Sequence, residues 1–257
     1  MIEFQNVTKR FAGGHQPAVN DLCLTAQRGE LLVLLGESGC GKTTTLRMIN
    51  RLVDSDSGKV LVDGKDVRTL DAITLRLRIG YAFQGIGLFP HMSVAQNVAI
   101  VPALLGWPQS QIDARVRELL TLIGLDPQEY ADRYPEELSG GQQQRVGVAR
   151  ALAARSEILL MDEPFGALDP LTRSELQLQL KSLQQQLALT IVLVTHDVNE
   201  ALLLGDHIAV MKQGELLAHG TPQALIGNPP HAYVAELMSM PQRQAARIAE
   251  LIGDNRE

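Results

Sequence analysis

One stretch of this 257-residue chain has the residue types and spacing that phosphate chemistry requires. It reads G-E-S-G-C-G-K-T from Gly36 to Thr43, fits the pattern G-x-x-x-x-G-K-[ST], and follows the aliphatic run Glu30 to Leu35. The glycines let backbone N–H groups turn toward phosphate oxygens, and the helix that follows adds the positive end of its dipole. We therefore predict a nucleotide site, with Lys42 on the β- and γ-phosphates and the Thr43 hydroxyl on Mg²⁺. The alternative is a glycine-rich turn that only caps a helix.

Cys40 is the unusual member of this phosphate loop. We expect a small side chain tolerated between two glycines rather than a redox group, because no second cysteine is near. The residues that we assign to the nucleotide on this side are Gly36, Glu37, Ser38, Gly39, Cys40, Gly41, Lys42, Thr43 and Thr44.

A second aliphatic run, Ile158 to Met161, ends in the adjacent acids Asp162 and Glu163. Two carboxylates at the end of a core strand are expensive to desolvate without a function. We predict that Asp162 serves the Mg²⁺ shell and that Glu163 polarises the attacking water. The alternative is that one of the two acids caps the turn before Pro164.

Composition excludes several classes of protein. The chain is 45% hydrophobic and 20% charged, which rules out a disordered or collagen-like chain. A net charge of -6 disfavours nucleic acid as a partner. Two cysteines cannot form a disulfide framework, the N-terminus lacks an export signal, and the longest apolar runs fall short of the roughly 18 to 20 residues that span a bilayer. We expect a cytosolic protein that reaches any membrane through a partner.

The elements around these motifs alternate between strands and helices. Ser93 to Ala154 has only helical periods, which indicates a helical insertion, and Lys42 to Leu52 and Leu171 to Leu187 are predicted helices. The alternation favours a mainly parallel sheet with helices on its faces. We expect Gln142 to Gln144 and Gln184 to Gln186 to be solvated. Strands are predicted at Ile2 to Val7, Glu30 to Leu35, around Gly58 and Asp63-Gly64, and at Ile79 to Phe83, Glu157 to Met161, Thr190 to Val194, Ile208 to Met211 and Glu215 to Ala218.

The sequence L-S-G-G-Q, from Leu138 to Gln142, precedes the helical stretch Gln143 to Ala154. It is a second glycine-bearing helix start that could hold an anion, yet it has no lysine, and one phosphate group does not readily need two such cradles. Here the chain resembles the ATP-binding subunits of ABC transporters, whose signature is LSGGQ. The resemblance covers roughly residues 1–235. It includes Gln84 as the Q-loop glutamine, Ala167-Leu168-Asp169 as the D-loop, and His196 as the switch histidine.

The resemblance implies an α/β fold of the P-loop NTPase (RecA-like) class, with a mainly parallel core sheet, an N-terminal antiparallel β part and a helical insertion. It implies a nucleotide-binding core at residues 1–92 and 156–235 and a helical subdomain at 93–155. Several relatives append a pair of CBS domains after the core, and we expect this chain to depart from them with only a short tail at 236–257. Two copies would pair head to tail, so that each ATP touches the signature of the partner. The resemblance adds Ser139, Gly140, Gly141, Gln142, Asp169 and Phe11 for ATP, His196 and Gln84 for catalysis, and Gln84 also for Mg²⁺. These join Glu163 for catalysis and Thr43 and Asp162 for Mg²⁺, which the motifs above predict.

Two of these assignments have open alternatives. A lone histidine such as His196 is often a buried, hydrogen-bonded core residue, although its place after a core strand favours a γ-phosphate sensor. Phe11 stands where the family has an aromatic ring that stacks on adenine, and a core phenylalanine is the alternative.

The segment Gln84 to Met92 lies where the family's membrane subunits dock, and Phe89 and Pro90 offer an apolar contact; an ordinary buried turn is the alternative. The sequences of this segment and of Arg47 to Leu52 are similar to those of the glycine betaine, carnitine and choline importers. The resemblance thus implies an ATPase on the cytoplasmic face of the inner membrane, with permease subunits, indirectly a solute-binding protein, and no nucleic acid. One alternative is an importer of another small polar solute such as an amino acid. The other is a soluble ABC ATPase that is not tied to transport. Because we expect no CBS domains in this chain, we expect no osmotic sensing by the tail, so that either regulation lies elsewhere or the importer is not primarily osmoregulatory.

Overall fold

The computed structural model describes residues 1–83, 85, 87–166 and 168–253. A six-stranded central sheet and a four-stranded antiparallel sheet form its framework. The strands are β1 (Ile2–Lys9), β2 (Val19–Ala26), β3 (Leu31–Leu35), β4 (Ser57–Val62), β5 (Lys65–Asp66), β6 (Ile79–Ala82), β7 (Ile158–Asp162), β8 (Thr190–Thr195), β9 (His207–Lys212) and β10 (Glu215–Gly220). The helices are α1 (Lys42–Ile49), α2 (Ala72–Arg78), α3 (Val94–Leu104), α4 (Gln109–Leu122), α5 (Pro127–Tyr130), α6 (Gly140–Leu152), α7 (Pro170–Leu187), α8 (Val198–Leu204), α9 (Pro222–Gly227) and α10 (Ala232–Gly253).

The central sheet has the order β10-β9-β3-β8-β7-β6. Its strands are parallel except β10, which pairs with β9 in the antiparallel sense. All five residues of β3 are buried, because both faces of a parallel sheet are covered. The aliphatic run that precedes the phosphate loop is therefore the middle of the core.

Two hydrophobic cores lie on opposite faces of this sheet. Leu31, Val33 and Leu35 of β3 pack with residues of helices α3, α4, α6, α7 and α8. Leu32 and Leu34 pack with α1 and with the antiparallel sheet, whose order is β2-β1-β4-β5. The predicted fold class, a mainly parallel sheet with an antiparallel N-terminal part, is confirmed.

Residues 93–154, all of them described, contain α3 to α6 and a 3₁₀ turn at Pro135–Glu137 and no strand. Ser93 begins the first of these helices with a capping box to Gln96, which satisfies two otherwise unpaired backbone N–H groups. The helical insertion is thus present where the sequence indicated it.

The prediction that both glutamine runs are solvated is wrong for two residues. Gln144 in α6 and Gln184 in α7 are 4% and 5% exposed. The Gln184 side-chain amide donates to the carbonyl oxygen of Gly29 at 2.5 Å, so a neighbouring loop covers it. Helix periodicity shows which residues share a face, but not which polar face another part of the chain covers.

Helix α10 runs without interruption across residues 235 and 236, where the sequence suggested that the core ends. Val234 and Met238, one turn apart, are buried in the helix-side core. The division into core and tail at that position stays a prediction. Within the described residues, no helix is both long enough and apolar enough to cross a bilayer.

Candidate nucleotide site

The predicted site residues meet because parallel strands end at one edge of the sheet. Leu35 of β3 lies beside Thr195 of β8, and Asp162 of β7 lies beside Val194. The phosphate loop, Glu163 and His196 each follow one of these strand ends. Ligands of open α/β sheets bind at this carboxyl edge.

Lys42 is the central cation of the phosphate loop. Its side chain is 4% exposed, and its ammonium Nζ donates to the carbonyl oxygens of Gly36 at 2.7 Å and Glu37 at 2.8 Å. Within the described part of the chain, Lys42 forms no ion pair with a carboxylate. Its ammonium also lies 3.8 Å from Cys40 Sγ. A buried ammonium whose described partners are neutral groups strongly attracts an anion.

Each glycine of the phosphate loop is needed for a different structural reason. A Cβ at Gly36 would overlap the carbonyl oxygen of Met211, and one at Gly41 would overlap that of Ala18. Gly39 has φ +81 and open space beside it. Helix α1 begins at Gly41 with no side-chain cap, so the first N–H groups of the helix remain available to a phosphate.

Thr43 and Asp162 supply oxygens suited to Mg²⁺. The Thr43 hydroxyl donates to Asp162 Oδ1 at 2.9 Å, and Asp162 is 2% exposed. In the described ranges, no group of three or more His, Cys, Asp or Glu side chains could hold a metal. Mg²⁺ bound with a nucleotide takes most of its ligands from phosphate and water, so this sparse donor set fits it. Gln84, the third predicted metal and catalytic residue, lies outside the described residues.

Sequence reasoning did not find two side chains that hold Asp162. Arg47 Nη2 of α1 lies 3.8 Å from Asp162 Oδ2. Burial and the neighbouring Asp162 charge raise the pKa of Tyr81, on β6, to about 12, so its phenol stays protonated. Arg47 lies in α1 and Tyr81 in β6, and both elements neighbour β7, the strand that carries Asp162. A prediction that these elements are neighbours could have indicated the two contacts.

Glu163 and His196, the two predicted catalytic residues that the structure describes, lie side by side. His196 Nδ1 lies 3.3 Å from Glu163 Oε1. Glu163 has φ +46, a left-handed conformation that is strained for a residue with a side chain. The His196 side chain is 57% exposed, so the alternative of a buried core histidine is wrong.

Two aromatic side chains are also exposed rather than buried. Phe11 is 49% exposed, with the Lys9 ammonium 5.5 Å from its ring centre, and the alternative of a core phenylalanine is wrong. Phe89 is 43% exposed, which excludes the alternative of an ordinary buried turn. The adenine contact of Phe11 and the docking role of Phe89 and Pro90 stay predictions.

The signature turn, Ser139 to Gln142, caps its own helix. Gln142 N donates to Ser139 Oγ at 3.3 Å, and Ser139 N donates to Gln142 Oε1 at 2.9 Å. Gly141 is packed so tightly that a Cβ there would overlap Thr172 Cγ2 of α7. Among the described contacts, no hydrogen bond or ion pair joins the signature turn to the phosphate loop. The two glycine-bearing turns of one chain are therefore separate from each other.

Asp169 of the predicted D-loop caps α7. Its Oδ1 accepts from Leu171 N at 3.2 Å and Thr172 N at 3.1 Å. The Thr172 side chain and these backbone donors hold the pKa of the carboxyl below its ordinary value. Ala167, in the same predicted loop, lies outside the described residues. The structure thus gives Asp169 a capping role, and its predicted contact with ATP is untested.

Two further features concern the phosphate loop itself. The Tyr233 hydroxyl of α10 donates to Glu37 Oε1 at 3.0 Å, a contact over 196 positions that no local pattern signals. Cys40 is 4% exposed, and burial raises the pKa of its thiol, which opposes thiolate reactivity. This favours the expected packing role of Cys40 over a redox role.

Comparison with known proteins agrees with this geometry. The sequence model of the ABC transporter family matches residues 19–166, more than half of the chain. The chain belongs to that family. The ABC chain is 54% identical to the "Glycine betaine uptake system ATP-binding protein YehX" of Escherichia coli, over 92% of its length and 76% of the relative. It is 52% identical to the "Choline transport ATP-binding protein OpuBA" of Bacillus subtilis, and spans 62% of that longer relative.

Solved ABC structures have the same fold. One described as the dimeric structure of a bacterial ABC transporter cassette is 35% identical, with a TM-score of 0.76, and covers 86% of this chain and 98% of that one. The structure of cbiO1 from Clostridium perfringens, described as part of the ABC transporter complex cbiONQ, is 28% identical with a TM-score of 0.82, and covers 97% of the ABC chain and 98% of its own.

Proposed function

We propose that two copies of this chain bind and hydrolyse Mg²⁺-ATP and thereby drive the import of a small solute. The solute class that we propose is a quaternary ammonium osmoprotectant such as glycine betaine. The observation that carries the proposal is the pair of separate cradles in one chain. The phosphate loop has a buried lysine and a metal-side acid, whereas the signature turn has neither. A single nucleotide that needs both must lie between two copies.

In the pair, Lys42 and the N–H groups at the start of α1 hold the phosphates from one side. Ser139 and the N–H groups of Gly140 and Gly141 in the partner approach the γ-phosphate from the other. A two-fold arrangement makes both sites equivalent, because the same surfaces meet twice. A relative's structure is described as a dimeric post-hydrolysis state bound to ADP and Pi, which supports this arrangement.

Glu163 is the general base for hydrolysis. Water attacks the γ-phosphorus, the bond between the γ-phosphorus and the bridging oxygen breaks, and ADP and phosphate leave while Glu163 takes the proton of the water. His196, 3.3 Å from Glu163, orients that carboxylate and donates toward the γ-phosphate. Thr43 and Asp162 would hold Mg²⁺, which would supply positive charge beside the phosphate oxygens.

Transport rests on the relatives and on one exposed surface. The ABC relatives above carry names of choline and glycine betaine transport. Phe89, Phe83 and Leu52 are exposed around an open groove of about 290 Å³, which gives a membrane subunit an apolar seat. We propose that permease subunits dock there and place this chain on the cytoplasmic face of the membrane. A solute-binding protein delivers the solute to those subunits.

The decisive test of the paired mechanism uses Glu163→Gln. This change removes the general base and keeps both cradles, so the variant should bind ATP and remain paired. Light scattering after size exclusion with ATP and Mg²⁺ should show a dimer, and the double variant Glu163→Gln/Lys42→Ala should stay monomeric. A monomeric Glu163→Gln protein with bound ATP would contradict the proposal.

The import role is tested separately. The chain should co-purify with integral-membrane subunits, and the complex in vesicles with its solute-binding protein should take up radiolabelled glycine betaine only with ATP. Uptake of an amino acid instead would change the solute and keep the importer. Co-purification with ribosomes or DNA would overturn transport altogether.

A further inference from the structure

Helix α7 holds α8 through a row of polar side chains at four-residue spacing. Such residues lie on one face of a helix. Gln177 donates to Glu200 Oε1 at 3.3 Å. Lys181 Nζ donates to the carbonyl oxygen of Leu204 at 3.0 Å and to Asp206 at 2.7 Å. The row thus grips both the first turn of α8 and its end.

Arg173, the first residue of this row, points in two directions. Its Nη2 donates to the carbonyl oxygen of Leu168 at 3.2 Å, and its Nη1 lies 3.7 Å from Asp197 Oδ2. Its Nε is buried and has no hydrogen-bond partner among the described residues. A buried donor without a hydrogen-bond partner lowers stability. The Arg173 guanidinium is therefore not placed where it would make the most hydrogen bonds.

Asp197 connects Arg173 to the histidine loop, which we define as Thr195 to Asp197. Asp197 N donates to Thr195 Oγ1 at 3.0 Å, and Asp197 Oδ1 accepts from Asn199 N at 2.7 Å. His196 stands between these two anchored residues. A shift of His196 therefore moves the carboxylate that Arg173 holds.

Leu168 connects Arg173 to the signature turn. Leu168 Cδ2 lies 3.8 Å from the position that a Cβ on Gly140 would take, and Thr172 packs on Gly141. Leu168 and Thr172, which lie just before Arg173 in the chain, thus pack directly against the signature turn. Closely packed groups of this kind transmit displacements rather than absorb them.

We propose that Arg173 is a positioning residue that couples the histidine loop, which serves the nucleotide of its own chain, to the signature turn, which serves the nucleotide of the partner. This inference rests on the paired mechanism proposed above. Loss of the γ-phosphate beside His196 then weakens the grip of the signature turn on the second ATP. By linkage, the second ATP affects the first site equally in binding free energy.

The test compares Arg173→Met with Lys181→Met. Both changes remove a cation from the same face of α7 and keep an unbranched apolar stem, but only Arg173 touches the D-loop and the histidine loop. In wild type, hydrolysis should rise cooperatively with ATP concentration, as two coupled sites require. For Arg173→Met we expect the Hill coefficient to fall to about 1 and kcat to fall about tenfold.

Further readouts separate positioning from folding. Arg173→Met should keep the monomer's ATP affinity and a melting temperature within the range of Lys181→Met, while Lys181→Met keeps wild-type cooperativity. Asp197→Asn, which retains a capping oxygen and loses the charge, should lower cooperativity as Arg173→Met does. The double variant Arg173→Met/Asp197→Asn should then be no worse than either single variant, because both break one link.

The inference is overturned if Arg173→Met keeps the wild-type Hill coefficient, if both methionine variants change it equally, or if wild type pairs with ATP but is not cooperative. Wild type that fails to pair with ATP at all would overturn the paired mechanism itself. Light scattering of wild type and of Glu163→Gln distinguishes that failure from the others.

Discussion

The phosphate loop and the signature turn are both glycine-bearing turns that begin a helix, and they differ in what completes them. The phosphate loop has no side-chain cap at α1, a buried Lys42, and a hydrogen bond from Thr43 to Asp162. The signature turn at α6 has a full capping box between Ser139 and Gln142, and its Ser139 and Gly140 are exposed.

This difference separates binding from response. A cradle with an ammonium and free N–H groups binds an anion in a single chain. The signature turn is already capped and has no cation, so we expect it to bind an anion only when another molecule brings that anion to it. The first should set the affinity for ATP, and the second should matter only in the pair.

The largest effect is expected from Ser139→Arg. A long cation in the exposed turn blocks the approach of a partner, so turnover should fall by at least about 100-fold, as when a transition-state donor is removed. ATP affinity of the monomer, measured by equilibrium binding, should equal that of wild type. Normal turnover in this variant would contradict a role for the signature turn in the paired state.

Lys42→Ala should show the opposite pattern, because it should change the affinity of the monomer for ATP. A charge-assisted phosphate contact contributes about 1.5 to 3 kcal/mol, so monomer affinity for ATP should fall about 10-fold to about 150-fold. Isothermal titration calorimetry with Mg²⁺-ATP measures this loss. Lys65→Ala, which removes an exposed lysine of β5, is the matched control and should bind like wild type. Equal affinity of the two variants would refute the assigned role of Lys42.

Packing beneath the signature turn is tested by Gly141→Ala. The new Cβ overlaps Thr172 Cγ2, whereas a Cβ on Gly140 meets nothing closer than 3.8 Å. Relative to Gly140→Ala, Gly141→Ala should lower the free energy of unfolding by about 1 to 3 kcal/mol. Adding Thr172→Ser removes that methyl group, keeps the hydroxyl, and should restore most of the loss in urea titrations. A loss that persists in the double variant would show that another contact is responsible.

A smaller, pH-dependent effect is expected from Glu200→Gln in the first turn of α8, which follows the histidine loop. Burial raises the pKa of Glu200 above its ordinary value of 4.5. The folded state then holds a proton that the unfolded state releases, so this carboxyl lowers stability as pH rises through that window. Glu200→Gln should therefore unfold at higher urea concentration than wild type at about pH 8, and the gap should close at about pH 4. A gap that grows toward acid would reverse the assigned sign.

Much of the architecture was predictable from local patterns, and β2 shows where they fail. Val19, Leu22, Leu24 and Ala26 are its buried positions, and the step from Val19 to Leu22 breaks the two-residue period. Asp21, at φ +47, accompanies an irregular register with β1. The sequence pattern therefore predicts no strand there, although strands β3, β7 and β8 were predicted from their continuous aliphatic runs.

Local residue order was sufficient for the phosphate loop, the two acids after β7 and the histidine after β8. Their chemistry requires particular residue types within a few positions of a strand end, and those positions are visible in the chain itself. The contacts of Arg173, Tyr81 and Tyr233, and the burial of Gln144 and Gln184, were settled only by folding. Each depends on a neighbour from a distant part of the chain, and whether a polar side chain is paired, covered or solvated is a property of that neighbour.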